Sequence, residues 1–186
     1  GIRFNSRATM PAGRYQLRVG ARDPLSGKTG TVFYDILIPD FAKETLMMSG
    51  LLVSSLASGA PEVFTPQRDP VAEKLLGAAP TARREFSQAE TLAWLAEIYD
   101  NIPARPRQIE VSARLIEDGG REVFASRDVL SNGEGGSKKW TAFGYTGGIP
   151  LKDVAPGRYL LRVEAHDRTN ANAGRPVVAE TVVTIG

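Results

Sequence analysis

Along most of the chain, apolar residues return at every second position, the spacing of a strand with one buried face and one wet face. The clearest rows are Tyr15, Leu17, Val19 and Ala21; Leu92, Trp94, Ala96 and Ile98; Ile109, Val111, Ala113 and Leu115; and Tyr159, Leu161, Val163 and Ala165. Further strands are expected at Arg3–Met10, Val32–Ile38, Leu46–Ser55, Glu122–Ala125, Trp140–Tyr145 and Val177–Ile185. Turn residues separate them: Pro11-Ala12-Gly13, Pro24 to Gly30, Asn101 to Pro106, Asp118-Gly119-Gly120 and Ala155-Pro156-Gly157. Residues 56–80 read as a long loop holding one short helix, with Asp69 as N-cap, Pro70 in the first helical position, Val71 to Leu76 as its body and Gly77 as its stop. Ser131 to Lys138 reads as a flexible, glycine-rich loop.

One row occurs twice. Gly13-Arg14-Tyr15-Gln16-Leu17-Arg18-Val19-Gly20-Ala21-Arg22-Asp23 returns 144 residues later as Gly157-Arg158-Tyr159-Leu160-Leu161-Arg162-Val163-Glu164-Ala165-His166-Asp167, with eight of eleven positions identical. That offset is too long for a solenoid and implies two copies of one domain type. Each copy continues through a polar loop into a second strand, which makes a hairpin. Such a pair suits the last two strands of an immunoglobulin-like sandwich. Tyr15 and Tyr159 then stand at the tyrosine corner, and Leu17 and Leu161 at the core position that holds a cysteine in antibody domains. The expected fold is all-β: an immunoglobulin-like or fibronectin III-like β-sandwich over residues 41–186, preceded at 1–40 by the last strands of a second, similar sandwich. Trp94 is expected in the core. Residues 1–40 amount to half a sandwich, so they should dock on the second domain or pair with another chain.

The chain has 186 residues, 42% of them hydrophobic, which is enough for a packed core. It has no cysteine, which excludes a disulfide scaffold, a zinc ribbon and a cysteine nucleophile. A single histidine, His166, leaves no ordinary histidine metal site and argues against a Ser-His-Asp triad. Basic and acidic residues number 23 and 21, without a long basic run, so nucleic-acid binding is not expected. No run reaches the roughly 18 apolar residues of a membrane span. The longest, Leu46 to Leu56, is broken by Ser49, Gly50, Ser54 and Ser55. The chain enters a strand pattern at once with no signal peptide, which reads as a fragment of a longer protein.

Candidate chemistry is sparse. His166 falls on the wet phase of its strand, and Asp23 and Asp167 sit where a carboxylate caps a loop. Glu97, Asp100, Glu117 and Asp118 are the carboxylates that would form a glycosidase pair, but turns and strand ends account for them. Gly133 to Gly136 with Lys138 and Lys139 lack the order of a phosphate loop. Trp140, Phe143 and Tyr145 are the candidate ligand or partner contacts. They lie on both faces of one strand, so one set faces outward unless the loop and residues 1–40 cover it. No catalytic residue, metal ligand or cofactor is expected.

Val32-Phe33-Tyr34-Asp35, Ile38-Pro39-Asp40-Phe41, Met48-Ser49-Gly50-Leu51, Ala96 to Asn101 and Ile149 to Val154, together with the repeated Gly-Arg-Tyr motif, resemble the C-terminal region of bacterial von Willebrand factor A-related proteins. The resemblance covers nearly all of the chain. It implies a β-rich tail of an exported protein, hence a secreted, periplasmic or cell-surface location. The adhesion motif of that family, Asp-x-Ser-x-Ser, lies in its A-type domain and is absent here, so no metal ligand carries over. The expected role is a non-catalytic structural or protein-interaction module. Its partner would be a protein or its own A-type domain, and it would be a monomer or a dimer through residues 1–40. The alternative is a carbohydrate-binding accessory module that uses the aromatics near Trp140.

Overall fold

The computed structural model describes residues 3–4, 8–56, 63–64, 74–101, 107–131, 142–169 and 175–186. Among them run thirteen strands: β1 (Arg3–Phe4), β2 (Gly13–Arg22), β3 (Thr29–Ile38), β4 (Leu46–Met48), β5 (Leu52–Ser55), β6 (Val63–Phe64), β7 (Glu85–Phe86), β8 (Thr91–Asp100), β9 (Gln108–Glu117), β10 (Glu122–Ser131), β11 (Phe143–Pro150), β12 (Gly157–Asp167) and β13 (Val177–Ile185). No helix among the described residues is long and apolar enough to cross a membrane.

Two sheets form a sandwich. One has the order β10-β9-β12-β13-β7; the other has the order β11-β8-β4, with β5 also paired to β8. All neighbours are antiparallel except β7, which runs parallel to β13. The chain changes sheet on either side of β7, between β8 and β9, between β10 and β11, and between β11 and β12. This is the Greek-key arrangement of an immunoglobulin-like sandwich, with β8, β9, β12 and β13 in the places of strands B, C, F and G.

The alternating rows supply the core. Ile109, Val111, Ala113 and Leu115 of β9 and Tyr159, Leu161, Val163 and Ala165 of β12 point inward and are almost wholly buried. Opposite them lie Leu92, Trp94, Ala96 and Ile98 of β8, with Tyr145 and Ile149 of β11. Trp94 therefore fills the core from the B position, whereas in antibody domains the core tryptophan comes from strand C. Its indole lies across β11 at its cross-strand partner Gly147, where an added Cβ would come within 2.5 Å of the ring. Only glycine fits there.

The other face of β8 is covered as well. Ala93 and Leu95 pack with Leu76, which makes a small second cluster outside the sandwich. Lys74–Leu76 is one helical turn, closed by Gly77 at a φ of +73°. The start of the helix expected from Asp69 lies outside the described residues.

Several expected strands differ from those observed, the one expected at Glu122–Ala125 running on to Ser131. Of the row Arg3–Met10, Arg3–Phe4 pairs in parallel with β6 and Ala8–Met10 is not strand, while residues 5–7 lie outside the described residues. The row Leu46–Ser55 divides into β4 and β5, because Ser49 spends its backbone N–H on Glu97 and its side chain on the Glu97 N–H and the Gly50 carbonyl. The strand expected at Trp140–Tyr145 instead spans Phe143–Pro150, carried through two glycines by an unbroken register with β8.

Candidate functional site

Among the described residues, β2 and β3 pair only with each other. They form a ten-residue ribbon whose register runs from Gly13 opposite Ile38 to Arg22 opposite Thr29. Its turn is tied by Asp23, whose backbone exchanges hydrogen bonds with Gly27 and Lys28, and whose carboxylate accepts from the Leu25 N–H at 2.9 Å and from the Ser26 hydroxyl. The Ser26 hydrogen bond, helped by Leu25, holds the Asp23 carboxyl below its ordinary value.

The ribbon has two unlike faces. On one, Gln16 donates to Asp35 at 3.2 Å and the Arg18 guanidinium lies 5.4 Å from the centre of the Phe33 ring. The other carries Tyr15, Leu17, Val19, Ala21, Val32, Tyr34 and Ile36, an apolar face with no charged group. It is the same face that β12 and β13 turn into the core. Even the corner is the same: Tyr15 donates to the Pro11 carbonyl at 2.9 Å and Tyr159 to the Ala155 carbonyl at 2.7 Å. Burial is opposite. Leu161 and Val163 are both 0% exposed, whereas Leu17 and Val19 are 46% and 48% exposed. Leu17 thus departs from its expected place in a core, because no described sheet lies over the ribbon. Val32 and Tyr34 are exposed to 66% each.

The aromatic set near Trp140 behaves otherwise. Trp140 and the loop of Gly133 to Lys139 lie outside the described residues. Tyr145 is buried, with its ring 5.2 Å from that of Trp94, and its hydroxyl donates to Asp128. Burial, then the neighbouring Asp128 carboxylate, pushes the Tyr145 phenol well above its ordinary value. Phe143 packs against the same core. The phase of β11 places both rings on the inward side, Tyr145 buried and Phe143 partly buried.

The candidate carboxylates do not converge. Glu97 accepts from the Tyr99 hydroxyl at 2.7 Å. Glu117 takes both nitrogens of a fork from Arg121, each at 2.9 Å, and this bond lowers its pKa. Asp118 sits in the adjoining turn and is exposed. Asp100 belongs to a different constellation, described next. His166 is on the outer face of β12, opposite Glu110 of β9. Among the described residues no three or more His, Cys, Asp or Glu gather as for a metal ion.

At one pole of the sandwich three buried ionised residues meet. Arg107 lies between Asp100 and Asp167, donating to Asp100 through Nη1 and to Asp167 Oδ2 at 2.5 Å through Nη2. Asp167 Oδ1 accepts from the Thr169 N–H at 2.9 Å, the loop cap expected for it. Burial alone would raise the Asp167 pKa, but the hydrogen bond from Arg107, the Thr169 N–H and the positive charge outweigh it, and the carboxyl titrates below its ordinary value. The signal for Arg107 is present in the sequence. Asp100, Arg107 and Asp167 each continue an inward row by one step: 92–98, 109–115 and 159–165. A charge in that phase marks a buried pair at the end of a core.

A third buried carboxylate, Glu90, carries the same signal, standing one step ahead of the inward row 92–98. Glu90 accepts from the Ser55 hydroxyl and the Ser87 N–H at 2.5 Å each, and from Arg83. Burial opposes its ionisation, but these donors prevail and its pKa falls. It fastens β5 to the segment that leads into β8. Both constellations consume their charges in holding strands together.

No protein-family model and no curated protein sequence matches the chain. Among solved structures, the C-terminal domain of Wzt superposes with a TM-score of 0.49 at 7% identity, over 92% of this chain and 78% of that one. A protein assigned as ApaA from Bordetella pertussis gives 0.32 at 16% identity, over 75% of this chain and 93% of that one. A protein assigned as a β-galactosidase from Bacteroides fragilis gives 0.36 at 10%, over 74% of this chain and 17% of that one. None of these likenesses is close enough to bear on function.

Proposed function

We propose that this chain is a non-catalytic structural and protein-interaction module, in the tail of an exported bacterial protein of the von Willebrand factor A-related kind. The tail assignment rests on the residue motifs quoted above. The interaction role rests on one observation: the apolar face of β2–β3 is open to solvent, while the buried charges of the sandwich are spent on one another. A contiguous exposed apolar face of this kind marks a binding surface. Of the aromatics that the carbohydrate-binding alternative would use, Tyr145 is buried and Phe143 is partly buried. The module works by presenting β2–β3 to a protein surface. Placing a photo-crosslinking residue at position 34, with a control at position 160 on the outer face of β12, tests this in the full-length protein. The expected result is a defined crosslink, mapped to one surface by mass spectrometry, from position 34 alone. No crosslink from position 34, or equal yields from both positions, would overturn the reading.

A further inference from the structure

We propose that the occupant of the β2–β3 face is the rest of a second sandwich of the same type, carried on the same polypeptide ahead of β1. This deepens the interaction reading and rests on it. The match of β2–β3 to β12–β13 extends through motif, corner hydrogen bond, pairing and loop cap. What covers β12–β13 therefore indicates what β2–β3 lacks. The outer edge of β12 takes β9, the outer edge of β13 takes β7, and the shared apolar face takes β8 with Trp94. In β2–β3 both outer edges and the face lack these partners among the described residues.

Chain order decides the source. In this topology the strands that cover the last hairpin precede it: β4, β5 and β7 to β11 all come before β12. Those strands belong to the sandwich of β12–β13, and none of them pairs with β2 or β3. The missing strands thus come from ahead of β1. Their chemistry is specified too. The strand against β2 carries aliphatic side chains facing Leu17 and Val19. It also brings a basic residue to Asp23, as the approach to β9 brings Arg107 to Asp167.

Hydrogen exchange tests this, comparing the 186-residue chain with the polypeptide extended by its native sequence ahead of Gly1. In the shorter chain the β2 amides that point away from β3 should exchange freely, unlike those of β12. In the longer one they should slow by on the order of 10³-fold or more, as amides in a packed sheet do. In that polypeptide the double variant L17D/V32D should abolish this protection while the melting temperature of the 41–186 sandwich stays unchanged. Amides that remain unprotected in the longer polypeptide overturn the inference. So does protection that develops in the 186-residue chain together with a doubling of its mass by light scattering, which assigns the face to a second copy. In that case the crosslink from position 34 still forms, so the interaction reading survives.

Discussion

Replacing Arg107 by methionine keeps an unbranched stem of similar girth and removes the cation between Asp100 and Asp167. All three side chains are at least nine-tenths buried. The substitution changes the site from a net charge of −1 to −2 without opening it to water. Removing one partner of a buried ion pair costs about 3–5 kcal/mol, because the remaining charge is left uncompensated. On the scale of a domain this size, that is a fall in melting temperature on the order of 10 °C. The pH dependence adds a sign. In the wild type the Asp167 pKa is depressed, so its stabilisation is complete above the ordinary carboxylate range and fades as pH falls below about 4 through the folded value. In the Arg107→Met variant the largest cause of the depression is gone, and only the Thr169 hydrogen bonds are left to oppose burial. Asp167 then takes up a proton more readily, and part of the loss is recovered as pH drops from 7 towards 5. Urea unfolding at both pH values measures this. A loss under 1 kcal/mol at pH 7, or a deficit that does not shrink at pH 5, would refute the account of the site as a desolvated clamp.

Other substitutions probe the packing. Gly147→Ala should destabilise the sandwich by about 1–3 kcal/mol in denaturant unfolding, since its Cβ must displace the buried Trp94 ring; wild-type stability would mean the indole lies elsewhere. Leu161→Ala should cost about 2–5 kcal/mol as a core truncation. Its repeat counterpart Leu17→Ala should change the unfolding of residues 41–186 by no more than about 0.5 kcal/mol, and equal costs would contradict the contrast in burial. Ultraviolet titration of Tyr145, read as the difference between the wild type and Tyr145→Phe, should show no phenolate forming through the ordinary tyrosine range, because burial and the Asp128 carboxylate oppose the anion.

Much of the sandwich is legible along the chain. The alternation in 109–115 and 159–165 places these residues in the core without knowledge of their partners, because a strand's side-chain period is two whatever it pairs with. Trp94 belongs to the same kind of row. β7 is not legible, since two residues hold no period, and β8 shows why alternation also misleads. Ala93 and Leu95 stand on its nominally wet phase, yet the turn at Lys74–Leu76 buries them. The aromatics of β11 cannot be divided by pattern. Apolar residues stand on both phases, and the choice of inward phase comes from the register of β11 against β8, the strand that carries Trp94.

The charged pole is an intermediate case. Asp100, Arg107 and Asp167 are each in phase with a buried row, which the sequence displays, but their convergence needs β8, β9 and β12 to end at one level of the sandwich. The repeat marks the boundary most sharply. Eight identical residues in eleven determine the same hairpin, the same tyrosine corner and the same Asp-capped loop in both copies, because those are local hydrogen bonds and backbone preferences. The sequence cannot determine burial, which belongs to what lies opposite. Leu161 is covered by a second sheet and Leu17 is not, so one motif is a core in one place and an open face in the other.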